Sequence, residues 1–185
     1  MLNIKSRFSD SSNHSRLYRS GKSCYVMARL CLESSPFDFL VPGFLLMQQS
    51  LENLIKACLK KENISWESGS KGHRFQNLLN LGSGIKFLEE RILSRPDFLS
   101  LLKELEDGYN TQRYGESGHF IEGHEKMMDL FDEMIYILIT EFAILVNQNN
   151  NERLMALPVP IYIEPTFKRN LKQPFIFGDV LSLDN

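Results

Sequence analysis

Apolar positions recur at helical spacing along most of this chain. From about Ser15 they fall at Leu17, Cys24, Met27, Ala28 and Cys31, which predicts one helix with Gly21 weakening its first half and Ser34-Ser35-Pro36 ending it. A second helix is predicted from Pro42-Gly43. Phe44, Met47, Leu51, Leu54, Ile55, Cys58 and Leu59 form its inward stripe, and Lys60-Lys61 sit at the negative end of its dipole. Gln48, Glu52 and Lys56 follow one another at four-residue steps on a neighbouring line, and Glu52 with Lys56 reads as a solvated surface pair.

A polar loop, Ile64 to Gly72, separates this helix from a short one over His73 to Leu81, which Gly82-Ser-Gly84 stops. Ile85 to Arg91 adds a turn or two. Pro96 suits the first turn of the next helix, whose inner face is Phe98, Leu101, Leu102 and Leu105, with Tyr109 continuing the stripe and Gly115 to Gly118 breaking it. The last long helix runs from about Phe120 to Gln148. Its apolar face is wide enough for the centre of a bundle, or for a core on one side and a second subunit on the other.

The pattern therefore predicts an all-α, up-and-down helical bundle over residues 15–150, with four long helices and short ones between them. Residues 1–14 are polar and expected to be frayed. Residues 151–185 change character: four of the chain's seven prolines fall there, which predicts a partly extended tail packed on the bundle.

Composition narrows the function. Hydrophobic content of 43% and charged content of 24% suit a soluble domain, and a formal net charge of -2 supplies no overall field for nucleic acid, so any such contact needs a local patch. The most apolar run, Met134 to Val146, is too short for a bilayer span and is interrupted by Glu141, so no membrane role is expected. The N-terminus lacks the apolar core of a signal peptide. Cys24, Cys31 and Cys58 have no CxxC spacing and read as small buried hydrophobes in a reducing, cytoplasmic compartment.

Candidate chemistry concentrates around Tyr109-Asn-Thr-Gln-Arg113-Tyr114 and His119. Arg113 offers a forked donor for phosphate, and Tyr109 or Tyr114 a ring for stacking on a base. Against this stands the plainer reading in which Tyr109 is a partly buried helix residue and Arg113 covers the helix C-terminus. His73, Lys71 and Arg74 would add donors if the short helix folds alongside. Gly82-Ser-Gly84 lacks the spacing and lysine of a phosphate loop. His119 and His124 stand five apart and diverge on a helix, so no metal site and no cofactor is expected. Trp66 reads equally as an exposed anchor or as a lid on the bundle. Lys168 to Lys172 reads as a solvated basic turn.

Three stretches in this order resemble the HEPN domains, named for higher eukaryotes and prokaryotes nucleotide-binding. Leu45 to Leu59 is similar to the family helix that carries a glutamate and a lysine four residues apart. His73 ahead of Leu78-Leu79 resembles the histidine opening the family's next helix. Leu105 to Tyr114 looks like the tyrosine-plus-arginine-tyrosine ending of the nucleotidyltransferase-associated branch. The match spans roughly residues 20 to 148 and leaves the tail uncovered.

The resemblance implies an up-and-down bundle, commonly a homodimer, and three functional readings. The first is nucleotide or RNA binding, through Lys71, His73, Tyr109, Arg113 and Tyr114, beside a nucleotidyltransferase partner or within a toxin–antitoxin or defence system. The second is metal-independent RNA cleavage, with Arg113 stabilising the phosphorane and His119 moving the 2′-hydroxyl proton. Here the chain departs from the nuclease pattern, because Tyr114 replaces the polar residue after the arginine and Gly115 and Gly118 loosen the spacer. The third is a non-catalytic dimerisation or scaffold role. Family likeness narrows the fold further than the activity.

Overall fold

The computed structural model describes residues 13–34, 40–113 and 124–147. Its elements are α1 (Asn13–Ser34), α2 (Leu40–Lys61), a 3-10 turn (Ser70–His73), α3 (Phe75–Leu81), α4 (Lys86–Leu88) continuing into a π turn (Glu89–Leu93), α5 (Pro96–Arg113) and α6 (His124–Asn147). The fold is an all-α helical bundle, as the periodicity predicts. The tail expected to be extended lies outside the described residues, as do the break at Gly115 to Gly118 and residues 1–12 of the segment expected to fray; Asn13 and His14, expected to fray with them, already belong to α1.

The central element is α2, not the last helix. All ten residues from Ser50 to Leu59 are buried, which requires neighbours on every side of three successive turns. On one side α1 runs antiparallel to it at very short range. A methyl group on Gly21 would lie 2.7 Å from Leu54 Cγ, and one on Gly43 would lie 2.6 Å from Leu32 Cγ. Ser50 Oγ donates to the Gly21 carbonyl at 2.8 Å, and Asn53 Nδ2 donates to Ser20 Oγ at 3.0 Å. Gly21, read from sequence as a weak point, lets α1 lie close against Leu54 and the Ser50 carbonyl of α2; its lost helix propensity is exchanged for packing.

The inward face of α1 also differs from the expectation. Tyr18, Tyr25, Ala28 and Leu32 are buried, whereas Met27 is exposed and Cys24 and Cys31 are half-buried; of the three cysteines Cys58 alone is fully enclosed. The aromatic rings replace the cysteines because α1 must fill the gap to α6. Tyr18 stacks on Phe142 with centroids 4.7 Å apart, and Tyr25 packs on Phe131 at 5.5 Å. Arg29 and Asp132 pair at 3.5 Å in the same buried layer.

α5 closes the bundle through Phe98, Leu101, Leu102 and Leu105, the face predicted for it. Arg95, just before its first turn, is bidentate on Asp97 and reaches Glu133 of α6 at 2.9 Å, while Arg91 of the π turn pairs with Glu141. No described helix is long and apolar enough to cross a membrane.

Candidate functional site

α2 ends in a full Schellman cap. Asn63 takes the left-handed conformation (φ 58°), Ile64 N–H donates to the Leu59 carbonyl at 2.8 Å, and Asn63 N–H to that of Lys60 at 3.2 Å. The cap turns the chain back along α2, and residues 64–74 fold against the helix just left. Ile64 and Trp66 pack on the core. Gly69 has φ 77° and opens the 3-10 turn, and Gly72 N–H closes on the Gly69 carbonyl at 3.0 Å. Gly72 is buried, and a Cβ there would sit 1.9 Å from the Glu67 carbonyl oxygen. The two limbs of the loop touch, and only glycine fits between them.

This loop carries His73 to Glu52. His73 Nδ1 lies 2.9 Å from Glu52 Oε1, and the same oxygen accepts from Lys56 Nζ at 2.7 Å. Lys56 Nζ in turn sits over the Trp66 ring, 5.4 Å from its centroid. Indole, ammonium, carboxylate and imidazole thus form one chain of contacts, with loop residues at both ends and α2 residues in the middle. Glu52 and Lys56 are 4% and 6% exposed, while the His73 side chain keeps 60% of its surface open. The solvated pair expected at Glu52 and Lys56 is therefore a buried one: the loop folds back over the polar line of α2 and removes it from water.

The arrangement has definite chemistry. A buried carboxylate–ammonium pair cancels its own charge and holds its geometry, since separating the partners would strand an uncompensated ion. The exposed imidazole is the part of the cluster that can meet a ligand. His73 belongs to the 3-10 turn rather than to the short helix, which begins at Phe75; Phe75 N–H is taken by Glu106 Oε1 of α5 at 2.5 Å. Beyond Phe75 a cavity of about 490 Å³ opens between α3 and α5, with Leu79, Leu99 and Leu102 below and Gln76, Lys103 and Glu106 at its edge. Burial pushes the Glu106 carboxyl above its ordinary range, with the Phe75 N–H and Arg74 pulling the other way.

Other sequence candidates sit differently. Lys71 points to solvent and pairs with Glu67 at 3.7 Å, both about 70% exposed, an interaction of little energetic weight. Tyr109 and Arg113 belong to the last turns of α5, but their side chains, with all of Tyr114 and His119, lie outside what is described. The course of the backbone still bears on them. Phe75 meets Glu106, and Gln76 and Leu79 share a cavity with Pro96, Leu99 and Lys103, so α5 runs antiparallel to α3. Its end passes the level of His73.

Sequence reasoning paired Glu52 with Lys56 and noted His73 and Trp66 separately, without bringing the four into one contact chain. A signal was present. Three polar residues at i, i+4 and i+8 beside the apolar stripe of α2 mark a line that a neighbouring segment can cover, and a lone tryptophan in a polar loop is a natural cover. Comparison of the chain with protein-family models, curated proteins and solved structures finds no match to any of them.

Proposed function

We propose that this chain is a HEPN-like nucleotide- or RNA-binding domain whose ligand-facing surface is centred on His73 and extends to the end of α5. One observation carries the reading. Two of the three stretches on which the resemblance rests, the Glu52/Lys56 helix and His73, meet in a single buried-to-exposed contact, with Glu52 Oε1 accepting from both partners. A surface histidine held this firmly by a buried pair is prepared for a ligand, because little rotamer freedom remains to be lost on binding. The antiparallel course of α5 supports the inclusion of Arg113, which supplies the phosphate donor in this reading. The domain then works in the cytoplasm as a homodimer, beside a nucleotidyltransferase partner or within a toxin–antitoxin system.

Titration of the parent chain, His73→Ala and Arg113→Ala with ATP and with a short single-stranded RNA tests this. Each substitution is expected to weaken binding about tenfold, the worth of one well-placed hydrogen bond. Superimposable curves for all three proteins would reject the site, and a parent that binds neither probe would reject the function.

A further inference from the structure

From the hydrogen bonding around His73 we infer that the site distinguishes ribose from deoxyribose, reading a ligand hydroxyl through His73 Nε2. This rests on the nucleotide- or RNA-binding reading and specifies its substrate class. The argument starts at Glu52. Its Oε1 already accepts a hydrogen bond from Lys56 at 2.7 Å, and a carboxylate paired with an ammonium has no hydrogen of its own to give. The contact with His73 Nδ1 at 2.9 Å therefore requires the imidazole to be the donor, which puts the ring hydrogen on Nδ1. In the neutral ring Nε2 is then a lone pair, an acceptor facing outward on a side chain with 60% of its surface open.

An acceptor at that position selects a ligand group that donates. Phosphate oxygens have only lone pairs at neutral pH and gain nothing there, whereas a sugar hydroxyl does. The 2′-hydroxyl is the donor that separates RNA from DNA along an otherwise similar backbone. The tautomer is held by more than one contact. Lys56 sits over Trp66 at 5.4 Å, and the close packing of Gly72 against the Glu67 carbonyl, with the Gly72 N–H bonded to the Gly69 carbonyl, holds the loop, and His73 with it, in place. Glu52, Lys56 and Trp66 act as positioning residues and His73 makes the contact.

The test uses one twelve-nucleotide sequence in three forms, as RNA, as DNA and as 2′-fluoro RNA, which keeps the sugar pucker of RNA but cannot donate. The parent is expected to bind RNA about tenfold tighter than the other two, the worth of one well-placed hydrogen bond. His73→Ala is expected to bring RNA down to the DNA level and leave DNA and 2′-fluoro RNA where they were. Because His73 is largely exposed, this variant keeps its fold, which an unchanged Trp66 emission spectrum verifies. Equal binding of RNA and 2′-fluoro RNA by the parent overturns the inference, since pucker and not the hydroxyl would be read. A uniform loss for all three forms in His73→Ala overturns it too, with the histidine then serving as a phosphate handle and the binding function intact. If no form binds the parent, the functional reading itself falls.

Discussion

Tyr25 on α1 donates a hydrogen bond to Asp132 on α6 across 3.1 Å, joining residues 107 positions apart inside a layer that also contains Arg29. The three groups are 1–4% exposed, so this is a buried polar network within the contact between the first and last helices. Such networks cost desolvation when formed, and they cost more when half of one is removed.

Removing Asp132 should therefore be severe. Asp132→Ala removes a carboxylate that pairs with the buried Arg29 and is expected to destabilise the fold by about 3–5 kcal/mol, whereas Tyr25→Phe, which removes one neutral donor, should cost about 1 kcal/mol. Urea unfolding of the two variants checks both magnitudes. Equal losses would show that the carboxylate does no more than accept from the tyrosine.

Two helical glycines should respond with opposite signs to the same substitution. Gly21→Ala drives a methyl group to within 2.7 Å of the fully buried Leu54 and is expected to destabilise by about 1–3 kcal/mol. Gly108→Ala meets nothing within 4 Å and should gain up to about 1 kcal/mol of helix propensity. Thermal melts of the pair would read the difference, and a stabilised Gly21→Ala would refute the close approach of α1 and α2.

The loop over α2 can be opened from one position. Gly72→Ala forces the Glu67 carbonyl away and should release Trp66 from Lys56, shifting the emission of the chain's single tryptophan to the red. Retention of a blue-shifted spectrum would mean that the loop accommodates a side chain there, and that Gly72 does not hold His73 in place.

Glu106 sets a pH dependence whose sign follows from its surroundings. Its folded-state carboxyl is raised above the unfolded value, chiefly by burial, so between the two the folded chain binds the extra proton. Stability from this group is thus largest at low pH and is lost as pH rises through the folded-state value. Glu106→Gln should remove that slope. A titration of the Glu106 carboxyl carbon by NMR should place its midpoint above that of an ordinary glutamate, and a midpoint below it would reverse the argument.

Some of this protein was legible in the order of its residues alone. Helix existence follows from apolar spacing, because a 3.6-residue period leaves one stripe to bury whatever it packs against; the inner faces of α2 and α5 were readable for that reason. The side of α1 that turns inward was not, since its orientation is decided by where Tyr18 and Tyr25 find Phe142 and Phe131. Tertiary structure alone decided which helix is central, because burial on all sides depends on how many neighbours arrive. It also decided that Glu52 and Lys56 are dry and share an oxygen with His73. Sequence sets the helical spacing of Glu52 and Lys56, but whether they meet water or an imidazole depends on a loop that a left-handed Asn63 and a crowded Gly72 fold back over them.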